Sequence, residues 1–74
     1  MASATLIFQK KQQAVIDRIR AVLTEKEWTQ RELAQKTGMK DSVISRIVHN
    51  ETNLTLKTIA ILEHALGSSL ISVP

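Results

Sequence analysis

Few residues of this chain could do chemistry by type and spacing. Its two histidines, His49 and His64, stand fifteen positions apart, and there is no Cys. With no third ligand type at metal spacing beside them, no metal site is expected. Ser45 and His49 lie one helical turn apart, yet no acid is placed to orient the imidazole as a nucleophile's base requires. A Gly-rich phosphate loop is also missing, since Gly38 and Gly67 are the only glycines. A chain of 74 residues offers little room for a closed pocket. The expectation is therefore no enzyme and no cofactor. What remains is a polar stripe, Ser42, Ser45 and Arg46 with Val43 among them. By itself such a stripe on a short exposed helix face reads as simply solvated.

The elements that carry this stripe are helical. From about Gln9 to Glu25, Val15, Ile16, Ile19, Val22 and Leu23 recur at spacings of three and four, with Lys11, Asp17, Arg18 and Arg20 opposite, which predicts an amphipathic helix. The basic residues Lys10, Lys11, Arg18 and Arg20 read as its wet face. Thr29 followed by Glu32 forms a capping box, and Trp28 with Leu33 a hydrophobic staple, so a second helix starts there. Gly38 stops it nine residues later. A third short helix, about Asp41 to Val48, turns Ile44 and Ile47 inward and ends near Asn50, a residue that tolerates the left-handed region. A fourth follows Thr55 with Leu54 and Ile59 as a second staple. Its broad apolar face is Leu56, Ile59, Ala60, Leu62, Ala65 and Leu66, and it ends at Gly67. The tail beyond, SSLISVP, gives a weak strand signal.

Length and charge bound the rest. The chain fits one domain, residues 1–74, with a core over about 9–67. Its net charge is +3, with 43% apolar and 23% charged residues, a globular composition. The charge sits unevenly: residues 1–24 carry +3, residues 25–40 carry +1, and the remainder −1. The longest apolar run is Ile59 to Leu62, too short to span a membrane. The opening MASATLIF lacks the charged start and long apolar stretch of a signal peptide, which makes the cytoplasm the expected location.

The segment from Gln30 to His49 needs a packing explanation. Two helices of about eight residues joined by three or four must cross steeply. The crossing needs a small residue, which Ala34 supplies, and the turn needs positive φ, which Gly38 supplies. Leu33, Met39, Ile44 and Ile47 bracket the crossing. This is helix-turn-helix geometry, in which the outer face of the second helix can lie in a major groove.

At this point TQRELAQKTGM (Thr29–Met39), VISRI (Val43–Ile47) and LTLKTIAILEHALG (Leu54–Gly67) come in order and at native-like spacing. Together they resemble the lambda-repressor-like, Cro-type (XRE) helix-turn-helix family from about residue 13 to Gly67. The resemblance implies an all-α bundle of four to five short helices. It further implies sequence-specific binding of double-stranded DNA by a dimeric transcriptional repressor on the prokaryotic nucleoid. Short members serve as antitoxin-type autoregulators, phage-like repressors or restriction controllers. Carried over by position, Gln30 touches phosphate from the first turn of the second helix. Asp41, Ser42, Val43 and Ser45 form the groove-facing set, with Val43 aimed at a thymine methyl. Arg46 reaches phosphate or a guanine edge, or else pairs with Asp41 or Glu51. Asn53 presents its amide to phosphate, and Lys57 is a further backbone candidate. Lys40 departs from the usual Ser or Thr cap. Asp41 departs from a position that is often Gln, and it meets DNA favourably only by accepting from a cytosine amino group. These departures, with the modest basic charge, leave an alternative: a module of the same fold that holds a partner protein such as a toxin. The homodimer is expected to form through residues 68–73, pairing as strands with their copy. The competing arrangement folds that tail back on its own chain near Leu6, Ile7 and Phe8.

Overall fold

The computed structural model describes residues 4–70. Four helices follow one another: α1 (Ala4–Lys26), α2 (Gln30–Thr37), α3 (Asp41–Val48) and α4 (Leu56–Leu66). Helix α2 packs against both α3 and α4, and α1 packs against α3. The shared core holds Val15, Ile19, Val22 and Leu23 of α1, Leu33 and Ala34 of α2, Ile44, Ile47 and Val48 of α3, and Ile59, Leu62 and Leu66 of α4. Trp28, Met39 and Leu54 pack against its edge.

The helix boundaries follow from local chemistry. Thr29 Oγ1 accepts from the Glu32 amide at 3.1 Å, and a Glu32 carboxylate oxygen accepts from the Thr29 amide at 3.4 Å, completing the capping box. The ammonium groups of Lys26 and Lys36 lie over the Trp28 ring, 5.2 and 5.1 Å from its centroid. Thr55 caps α4 through the Thr58 amide at 3.1 Å. Gly38 at φ 75° and Gly67 at φ 67° close α2 and α4 in the left-handed region.

Two exits use larger residues. Asn50 has φ 57°, with its amide on the Ile47 carbonyl and the Glu51 amide on the Arg46 carbonyl. Glu27 has φ 58° and repeats the pattern, its amide on Thr24 O and the Trp28 amide on Leu23 O. Both are Schellman closures. The one at Asn50 is legible in the sequence. The one at Glu27 is not, because Glu has no side-chain reason to enter that region.

Several expectations need correction. Helix α1 begins at Ala4, not Gln9: ATLIF contains no breaker, so the helix runs on past the last core contact. Leu56 and Ala60 do not face inward; Leu56 is 77% exposed. Ile59, Leu62 and Leu66 reach the core and Ala65 packs at its edge, since α4 lies against α2 on one side. Arg20 is not merely on a wet face, because its Nε donates to the Val48 carbonyl at 2.9 Å and its Nη2 to the same oxygen. Ser68–Leu70 form no strand, and Leu70 is 6% exposed within the chain's own core, its amide donating to the Glu63 carboxylate at 2.8 Å. The rest of the expected strand lies outside the described residues.

Candidate nucleic-acid interface

Helix α3 has two unlike sides. Ile44, Ile47 and Val48 are at most 2% exposed, which fixes the helix against α2 and α1. Asp41, Ser42, Val43, Arg46 and His49 are exposed on the other side, and Ser45 is half-buried between them. The turn Gly38–Lys40 sets the angle of this helix to α2. Thr37 locks that turn: its hydroxyl lies 2.9 Å from the Leu33 carbonyl and 3.1 Å from the Ala34 carbonyl, and it accepts from the Met39 amide at 3.2 Å. Lys40 makes no side-chain cap, so the amides of Asp41 and Ser42 keep no partner from a capping side chain.

Asp41 pairs with Arg31 across the turn, Nε to Oδ2 at 3.4 Å, with both side chains well exposed. The alternative pairing of Arg46 with Asp41 or Glu51 does not form. Among the described residues Arg46 makes no ion pair, and its guanidinium is open to an incoming acceptor. The Arg31 contact sets a cation beside the one acid on the outer face of α3. That acid also sits at the positive end of its helix, where a carboxylate is favoured.

Ser45 does not stand alone on the stripe. The His49 Nδ1 lies 2.7 Å from the Ser45 carbonyl and 3.4 Å from its hydroxyl. A carbonyl only accepts, so Nδ1 carries the proton of that bond. The imidazole therefore closes the last turn of α3 instead of activating the serine. His49 extends the Ser42–Ser45 row by a further turn. The sequence signal for its presence on this face is the i, i+4 spacing from Ser45.

Gln30, Asn53 and Lys57 are exposed on three other segments: the start of α2, the α3–α4 loop and the start of α4. Among the described residues, no side-chain bond joins these three to α3. Asn53 is nevertheless held in place through its neighbours. Gln12, 8% exposed on α1, donates from Nε2 to Asn50 Oδ1 at 2.7 Å and to the Thr52 carbonyl at 2.9 Å. Its Oε1 accepts from the Leu54 amide at 2.9 Å. Asn50 also donates to Gln13 Oε1 at 3.0 Å. Arg20 meanwhile bonds the last carbonyl of α3. Thus α1 braces both the end of α3 and the loop after it. Gln12, Arg20 and Thr37 are the supporting residues that sequence reasoning missed. A Gln in the middle of an apolar stripe was the available signal for the first of them.

A short helix packed by its neighbour through Ala34, a three-residue turn and a second helix with a free outer face together define a helix-turn-helix domain. The helix-turn-helix family model matches residues 19–72, and the chain belongs to that family in its lambda-repressor-like (XRE) form. The family is one of DNA-binding regulators, not enzymes, so this chain is a DNA-binding helix-turn-helix of regulator type. No curated protein and no solved structure matches it significantly. Among the described residues no helix is long and apolar enough to cross a membrane.

Proposed function

We propose that the protein is a sequence-specific repressor that binds double-stranded DNA as a dimer, with α3 in the major groove. The observation that carries this reading is the two-sidedness of α3: a fully buried inner face beneath an exposed row of Ser42, Val43 and Arg46. A rigidly seated helix with short polar groups outward is what base-edge readout needs. In this reading Ser42, Ser45 and Val43 read bases and Arg46 holds phosphate. Gln30 and Asn53 add phosphate contacts, and Lys57 lies at the edge of the footprint. Asp41, paired with Arg31, accepts from a cytosine amino group. The alternative, a partner-holding module with little DNA affinity, rests on Asp41, Lys40 and the modest net charge. The Arg31 pairing weakens the first of these supports.

The test is selection of random genomic duplex fragments by the purified chain, followed by titration of the enriched site against salt. Three or four phosphate contacts per chain give a log–log slope of about −3, doubled in a dimer. A flat salt response, or no enrichment over random DNA, refutes the proposal.

A further inference from the structure

Helix α1 overshoots the core. Ala4 through Lys11 are all exposed, and successive residues Leu6, Ile7 and Phe8 remain 42, 47 and 43% exposed. Consecutive helical positions point about 100° apart, so these three cover more than half of the helix circumference with apolar surface. An exposed helix end that is apolar on most sides is one that an assembly buries. Beside the overshoot lies an open groove of about 270 Å³ between α1 and the start of α4, lined by Phe8, Lys11, Gln12, Val15, Leu54, Leu56 and Ile59. Leu56, 77% exposed, forms its outer wall.

We propose that this surface is the contact between two copies of the chain, the α1 overshoot of each lying in the groove of the other around a two-fold axis. The inference deepens the dimeric reading above and replaces the tail as its interface. Two observations favour a second copy over another occupant, and a third removes the tail as its interface. First, a single peptide in the groove covers Phe8 and Leu56 but leaves Leu6 and Ile7 wet, whereas a second groove supplies a concave cover for the overshoot itself. Knob and hole on one chain are what an isologous contact requires. Second, the area suffices. At roughly 200 Å² for a fully exposed large apolar residue, the four exposed fractions leave about 400 Å² of apolar surface per chain. Interfaces are about 57% apolar, so this corresponds to about 1,400 Å² in all, within the standard range of roughly 1,200–2,000 Å². Third, Leu70 is committed to the chain's own core and is not available to a partner strand. The groove draws on no residue of α2 or α3, so the α3 row stays free for DNA.

The charges give the contact a signature. Lys10 and Lys11 are the only charged residues between Ala4 and Ile16, so two overshoots bring like charges together. Self-association therefore holds or strengthens as salt rises, while DNA binding weakens.

Sedimentation of the full chain without DNA, at low and high salt, tests this. The expected result is a dimer at micromolar concentration that persists at high salt, with Phe8→Glu and Leu56→Glu each weakening association by about 30-fold or more. Both side chains are exposed, so unchanged far-UV circular dichroism is expected; Ile7→Glu serves if either variant loses helix. Because the chain has no Cys, oxidising a mixture of F8C and L56C chains should yield the mixed 8–56 disulfide. A chain that stays monomeric at every concentration, or variants that dimerise like the parent, overturns the proposal. No DNA enters these measurements. A monomer that still selects a half-site would overturn this surface alone, and a dimer with no DNA preference would overturn only the repressor reading.

Discussion

Replacing Gln12 with Leu would remove the brace between α1 and the loop that carries Asn53. Three hydrogen bonds of 2.7, 2.9 and 2.9 Å disappear, and the Thr52 carbonyl and Leu54 amide lose their partners in a half-buried setting. Asn50 is exposed and rehydrates, so its share is small. Two part-buried groups left unsatisfied cost about 1–3 kcal/mol each at most, and relaxation of the loop toward water brings the total to about 2–3 kcal/mol. The whole domain is worth only ~4–11 kcal/mol at its size. Urea unfolding followed by far-UV circular dichroism and Trp28 fluorescence reads the difference. With a slope of about 1 kcal/mol/M for so small a protein, the midpoint falls by about 2 M or more. Gln13→Ala is the control, because its bonds to Asp17 and Asn50 are exposed and its loss costs less than about 1 kcal/mol. A Gln12→Leu midpoint within about 0.5 M of the parent, or an equal loss in Gln13→Ala, refutes the bracing argument.

Other outcomes are equally specific. Glu27→Gly should stabilise the chain by up to about 1 kcal/mol, since φ 58° strains any residue with a Cβ; a melting point that does not rise argues against it. Gly38→Val should cost about 1–2 kcal/mol from backbone strain alone, because no atom stands within 4 Å of an added Cβ; thermal unfolding reads it. Arg46→Ala should weaken all duplexes alike and lower the salt slope by about one. Ser45→Ala should instead change preference at one or two base pairs by about 1–3 kcal/mol, both measured by competition binding. Deleting residues 68–74 should cost about 2 kcal/mol through the loss of buried Leu70 and leave the number of copies found by sedimentation unchanged.

The helix-turn-helix was legible because its determinants are local. Thr29 and Glu32 satisfy each other's amides within one turn, and Gly38, Asn50 and Gly67 mark the exits of three helices by what their own backbones tolerate. The alternation of Ile44 and Ile47 with Ser42, Val43 and Arg46 separates the two sides of α3 with no knowledge of what lies beneath. Where the interaction partner is distant in the chain, local pattern carries no information. Nothing in the spacing joins Gln12 to the Thr52 carbonyl, Arg20 to Val48 or Arg31 to Asp41. Leu56 at the start of α4 and Leu70 three residues past its Gly67 stop are both leucines with no local mark of their fate. The tertiary packing buries Leu70 and leaves Leu56 open. The sequence by itself therefore determined the four helices and the exposed outer face of α3. Only the tertiary structure decided which side chains brace that face and which apolar surface stays uncovered, because those outcomes depend on the distance between segments that no local spacing encodes.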